Sequence, residues 1–216
     1  MYIIIVGAGE IGEKLAALAL KNKDDVVIIE KNKEKCEEIS KKYDAIVINA
    51  DATEKETLIE AGADSADALI ATADDATNLL VISLAKTIGV PSLVTLVNNE
   101  ENKPMFIEKG VNIVGNPSAI TAEYLYRAVR RPMVKDFMSI GNRAEIFKIS
   151  IPSDSKIAGK TVGDVKLPKG VSIIVIERDS DVLIPAPDTV FHAGDVITLL
   201  ARKDKIDKIM DLFFKK

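Results

Sequence analysis

The feature that most restricts what this chain can fold into is an apolar, β-branched run, Tyr2-Ile-Ile-Ile-Val6, leading without a break into Gly7-Ala8-Gly9-Glu10-Ile11-Gly12. The run predicts a buried strand and the amphipathic stretch from Glu10 to Leu20 predicts a helix, so the glycines fall on a strand-to-helix turn. Gly7 permits the tight turn, Gly9 lets the main chain approach a pyrophosphate, and Gly12 lets the helix lie close to the strand. Phosphates would then sit at the positive end of the helix, against N–H groups that lack an intrahelical partner. A second apolar strand, Val26-Val-Ile-Ile-Glu30, ends in an acid about 20 residues on, where such folds hydrogen-bond the ribose of an adenosine. Gly7, Ala8, Gly9, Glu10, Ile11, Gly12 and Glu30 are therefore candidate dinucleotide contacts, with a mononucleotide site or a vestigial loop as the alternative.

The rest of the composition narrows the class. At 216 residues the chain can hold one large domain or two small ones. A net charge of −4 gives no broad basic footprint for nucleic acid. The single cysteine, Cys36, excludes internal disulfides and a cysteine zinc cluster, which fits a reducing cytosol, and its charged neighbours suggest an ordinary helical position. Met1 leads directly into the first strand, leaving no space for a leader peptide. Runs such as Leu79-Leu-Val-Ile82 fall far short of the ~20 apolar residues that span a bilayer. The expectation is a soluble protein with no direct membrane insertion.

From Met1 to about Lys135, strands and helices alternate. Strands are predicted at Val26 to Glu30, Ala45 to Ile48, Ala68 to Ala71, Ser92 to Val97 and Val111 to Val114. Helices are predicted at Lys33 to Lys42, Glu54 to Ala61, Asp75 to Ile88, Glu101 to Lys109 and Ser118 to Arg130. Short all-apolar strands between helices imply a parallel sheet covered on both faces, a Rossmann-like, doubly wound α/β fold. Its ligand crevice lies where the strand order reverses, so the loops after Val6 and Ala71 should face each other.

Two further loops reach the same edge. In Asn49-Ala50-Asp51-Ala52-Thr53, the pair Thr53 and Glu56 has capping-box spacing, whereas Asp51, with Ala52, is placed to meet the adenine edge. In Thr72-Ala73-Asp74-Asp75, one acid can cap the next helix, and the small Thr72 and Ala73 leave room for phosphate or ribose. Asn78, one turn into that helix, faces either the cofactor or solvent. A carboxylate at Glu30 disfavours the 2′-phosphate of NADP, so NAD or NADH is expected. Glu10 would repel the terminal phosphate of ATP, so ATP or ADP requires compensation by Lys14 or a neighbouring subunit. Replacing Glu30 with alanine is expected to weaken NAD binding while leaving folding intact.

The alternation stops at Arg130-Arg131-Pro132. Residues 131 to 144 form a loosely spaced apolar connector, with Met133, Val134, Phe137, Met138 and Ile140. It packs on its own domain or, with Ile120, Tyr124, Leu125 and Val129, makes a dimer contact. Beyond Gly141-Asn142 come short strands at Glu145 to Ile151, Ser172 to Glu177, Val182 to Ile184 and Val196 to Ala201, then a helix from Asp204 to Phe214. The expected division is an α/β domain at 1–135 and a smaller α+β domain at 136–216. Gly194-Asp195 reads as a tight turn.

The order of the glycine loop, Glu30, Asp51-Ala52-Thr53, Thr72-Ala73-Asp74-Asp75 with Asn78, and Gly194-Asp195-Val196 resembles TrkA-type regulatory subunits of potassium uptake. In that family an RCK (or KTN) domain precedes a TrkA C-terminal domain, and the resemblance covers nearly the whole chain. It implies an NAD(H)- or adenine-nucleotide-binding protein that forms a homo-oligomer, a dimer building a tetrameric or larger ring. That ring would sit in the cytoplasm at the inner face of the cell membrane and gate a membrane potassium-translocating subunit. One unit per chain means a ring of identical copies. Many relatives carry an arginine in the segment matching Thr95-Leu96-Val97-Asn98-Asn99, where this chain has Leu96.

The alternative is an NAD-dependent dehydrogenase. Such an enzyme needs a proton donor near the nicotinamide, most often histidine or a Tyr-x-x-x-Lys dyad. The one histidine, His192, falls in the carboxyl-terminal module, and no tyrosine has a lysine four residues later. No catalytic residue and no metal ligand set is expected.

Overall fold

A computed structural model describes residues 1–214, with the backbone alone described at 112–114. Two compact units divide at Ala122/Glu123, inside a helix and ahead of the expected boundary at residue 135.

The first unit alternates β1 (Tyr2–Val6), α1 (Glu10–Lys21), β2 (Asp25–Glu30), α2 (Lys33–Lys42), β3 (Ile46–Asn49), α3 (Lys55–Glu60), β4 (Ala68–Ala71), α4 (Asp75–Ile88), β5 (Ser92–Leu96), α5 (Lys103–Glu108) and β6 (Asn112–Gly115). The helix α6 (Pro117–Arg130) follows and crosses the division. The strands form one parallel sheet in the order β3-β2-β1-β4-β5-β6, a doubly wound topology whose order reverses between β1 and β4.

The period-two geometry of a strand explains why these runs are apolar throughout: successive side chains enter different cores. Ile4, Val6, Val27, Ile29 and Leu69 pack with Leu58 of α3 and Val81, Ile82 and Ala85 of α4. Ile3, Ile5, Val26 and Ile28 pack with Ala16 of α1 and Ile39 of α2. Each fully buried isoleucine here contributes about 1.5–3 kcal/mol relative to exposure. The register pairs Val6 with both Ile29 and Ala71, which brings the carboxyl ends of β1, β2 and β4 level.

The second unit holds β7 (Val134–Ile140), β8 (Ala144–Ser150), β9 (Val171–Arg178), β10 (Asp181–Leu183), β11 (Val196–Arg202) and α7 (Ile206–Phe214). The strands make an antiparallel sheet in the order β10-β9-β11-β8-β7, covered by Ile206, Ile209 and Phe213 of α7. The expected connector at 131–144 is corrected here, because Val134–Ile140 is an edge strand with Phe137 opposite Phe147. A register shift between Val134 and Phe137 separates its half-buried residues by three instead of two, which hides the strand pattern in the sequence.

Alternation along β8 turns Glu145 inward with Phe147 and Ile149, and Glu145 is only 4% exposed. Arg127 answers that buried charge: Nη1 lies 2.7 Å from Glu145 Oε2, and the guanidinium stacks 4.3 Å over the Phe137 ring. Tyr124 stacks on Phe137 as well, while Ile120, Leu125 and Val129 remain exposed on α6.

Candidate functional site

The carboxyl ends of β1, β2, β3 and β4 open onto one cleft of about 270 Å³, partly open to solvent. That is close to the lower end of small-molecule sites, about 300 Å³. Of the residues expected from the sequence, Gly7, Gly9, Glu30, Asp51, Ala52, Thr72 and Ala73 line it.

The glycine loop is built by contacts that a side chain would break. Gly7 sits at φ +95°, and a Cβ on Gly12 would lie 1.9 Å from the Gly7 carbonyl oxygen. A Cβ on Gly9 would meet no protein atom within 4 Å. Gly9 is also the N-cap of α1 and offers no side-chain cap, so the first-turn N–H groups are left for a ligand. Thr72 ties this loop to the one after β4: its N–H donates to Val6 O at 2.9 Å, and its hydroxyl lies 3.0 and 3.1 Å from Val6 O and Gly7 O. The two loops therefore meet as their sequence positions imply.

Glu30 does more than the sequence assigned to it. Its side chain is 9% exposed; Oε2 accepts the Ala8 N–H at 2.7 Å and Oε1 the Asn32 N–H at 2.8 Å. Ala8, a candidate dinucleotide contact, is itself buried, and its N–H is spent on Glu30 within the loop's own scaffold. Each carboxylate oxygen keeps a free lone pair, enough to accept from a sugar hydroxyl in the cleft. Glu10 and Ile11 do not line the cleft; both are exposed, and Glu10 pairs with Lys14 at 2.6 Å. Cys36 lies behind the site, donating to Glu30 O at 3.2 Å, and burial raises its thiol pKa, which suits an inert thiol.

On the other two loops, local hydrogen bonds set the charges. Asp51 Oδ1 accepts both the hydroxyl and the N–H of Thr53, and these bonds, with Lys31 nearby, hold its carboxyl below the usual range. The expected capping box is not formed: α3 is capped at Glu54 without a side-chain bond, because Thr53 turns back to Asp51 instead. Asp74 is the N-cap of α4, and the N–H and hydroxyl of Thr77 lower its pKa. Asn78 faces neither cofactor nor solvent. It is fully buried, its Oδ1 accepting the Ala73 N–H at 2.9 Å and its Nδ2 donating to Ala73 O and Leu96 O.

Sequence reasoning missed Lys31 and Lys35, which line the cleft beside Glu30 and Asp51. Their signal was position, since both follow directly on the loop that the crevice rule places at the site. Leu96, at the position where many relatives carry an arginine, is buried, and its carbonyl accepts from Asn78 Nδ2.

The TrkA-N domain family matches residues 3–117, and the TrkA-C domain family matches residues 146–213. A Methanothermobacter thermautotrophicus protein named as a Trk system potassium uptake protein TrkA homolog is 34% identical over 208 residues, covering 95% of this chain and 96% of that protein. An Archaeoglobus fulgidus protein of the same name is 32% identical over 99% of this chain, which spans only 50% of its length. Among solved structures, the GsuK channel bound to NAD superposes with a TM-score of 0.69 at 18% identity, over 99% of this chain and 39% of that one, a likeness of fold. With two family domains in order and relatives matched from end to end, the chain belongs to the TrkA family of Trk-system potassium uptake proteins.

Proposed function

We propose that this protein is a nucleotide-sensing regulatory subunit of a potassium transport system, with NAD or NADH held in the cleft after β1, β2, β3 and β4. The observation that carries the reading is the glycine loop: uncapped amides at the start of α1, an open position at Gly9, and a buried carboxylate at Glu30 on the cleft wall. A diphosphate would rest on the helix amides and the adenosine ribose against Glu30, with Asp51 and Ala52 toward the base. Anionic Asp51 and Asp74 on the rim oppose the crowded charge of a triphosphate, while Lys31 and Lys35 partly offset them. NAD(H) is therefore favoured, with ATP or ADP as the second choice.

Regulation rather than catalysis is supported by the relatives, which are named as potassium uptake proteins. The membrane-borne step falls to a partner, a potassium-translocating subunit, since no helix among the described residues is long and apolar enough to cross a membrane. A ring would be built from repeated copies of the paired TrkA-N and TrkA-C domains at the inner face of the membrane. A nucleotide that bridges the loops after β1, β2 and β4 shifts the ring between two arrangements only if it binds them unequally.

Calorimetric titration of the purified protein with NAD, NADH, ADP and ATP tests the reading. Saturable binding is expected, tightest for NAD or NADH. Absence of binding by all four, or turnover of a metabolite with NADH, overturns it.

A further inference from the structure

We infer that Asn98 and Asn116 relay the state of the nucleotide cleft to the first turn of α6. The inference rests on the nucleotide reading for what occupies the cleft, but the relay itself is built from hydrogen bonds in the first unit. It begins at Ala73, a wall residue of the cleft. The Ala73 carbonyl accepts from Asn98 Nδ2 at 3.1 Å. The Asn98 carbonyl accepts in turn from Asn116 Nδ2. Asn116 Oδ1 then accepts the N–H of Ala119 at 3.1 Å, and Asn116 O accepts that of Ile120. Three hydrogen bonds thus run from the cleft wall to the helix start, and the Asn116 side chain uses its donor on one side and its acceptor on the other.

A second strap keeps this path stiff. The Asp75 carboxylate, at the start of α4, accepts the N–H groups of Asn98 and Asn99 at 2.6 and 3.0 Å and the Asn102 side chain at 2.7 Å. The loop at 98–102 is therefore tied to the start of α4 and moves with the loop that Asn78 clamps at Ala73. A ligand that shifts Ala73 shifts Asn98, and with it the cap of α6. That helix crosses the division between the two units and exposes Ile120, Leu125 and Val129, so its first turn is well placed to change how the chain presents itself to a neighbour.

Asn116→Asp separates the relay from the cap. Aspartate caps a helix as well as asparagine, but it has no donor for the Asn98 carbonyl. In ligand-free protein, amide exchange at Ala73 is expected to quicken roughly fivefold, the population change for one ordinary hydrogen bond, while Ala119 and Ile120 keep the rates of the parent. With NAD, exchange at Ala119 and Ile120 is expected to slow in the parent and not in the variant, and the calorimetric affinity of the variant is expected to fall by the same factor as the slowing it loses. Unchanged exchange at Ala73 in the variant, or full retention of the NAD effect on α6, overturns the relay. If NAD fails to bind the parent, the nucleotide reading falls, and the ligand-free comparison still decides the relay.

Discussion

Glu30 Oε2 accepts the main-chain N–H of Ala8 across 2.7 Å, joining the end of β2 to the turn after β1. The same carboxylate fastens Asn32 at the start of the β2–α2 turn. The acid proposed to recognise the ribose is thus also a structural clamp between the two loops that frame the cleft.

Glu30→Ala is therefore expected to affect folding as well as binding, contrary to the expectation from sequence. The buried N–H of Ala8 loses its acceptor at a cost of about 1–3 kcal/mol, whereas the part-buried N–H of exposed Asn32 can turn to water. Urea unfolding should record a loss of about 1–3 kcal/mol. An unfolding midpoint equal to the parent's would mean that water replaces the carboxylate at both amides.

Two glycines three residues apart should give opposite outcomes. Gly9→Val places its Cβ where no protein atom lies within 4 Å, so stability should fall only by what a poorer N-cap costs, about 1 kcal/mol, while NAD affinity falls by at least about 10-fold. Gly12→Ala drives a Cβ to 1.9 Å from the Gly7 carbonyl, so its loss should appear in stability, by about 1–3 kcal/mol or more. Thermal unfolding and calorimetry on the pair separate the two effects.

The Gly194 turn conceals an ion pair. Gly194 lies at φ +91°, and Asp195 is 2% exposed, accepting from Arg178 Nε at 2.8 Å, Arg178 Nη2 at 2.9 Å and the His192 N–H at 2.8 Å. Burial alone would raise the Asp195 pKa; the Arg178 and His192 bonds outweigh it and hold the carboxyl below its ordinary 3.8. A depressed folded-state pKa adds stability that is present above the unfolded value and is lost as pH falls through the folded one. Stability should therefore drop below about pH 4, and Asp195→Asn should flatten that drop while costing about 3–5 kcal/mol at neutral pH. Urea unfolding from pH 2.5 to 7 measures both.

Much of the first unit was legible because its signals are local. Apolar runs set β1, β2 and β4, glycines set the turn at Gly7, and Asp74 capped α4 as its spacing suggested. Strand order followed from the alternation of strand and helix, since parallel neighbours need crossovers on both faces.

What the sequence by itself determined was the doubly wound sheet, the loops gathered at its carboxyl edge and the family to which the chain is akin. Tertiary structure alone decided how the polar groups on those loops are spent: Glu30 on Ala8, Asn78 on Ala73, Asp51 on Thr53, Asp195 on Arg178. It also decided that Val134–Ile140 is a strand, because a bulged edge shows its pattern only against the partner that pairs with it. A hydrophobic period is written along the chain, but which buried donor meets which acceptor depends on segments brought together by folding. An acid at a given position does not reveal whether its partner is a ligand or its own main chain.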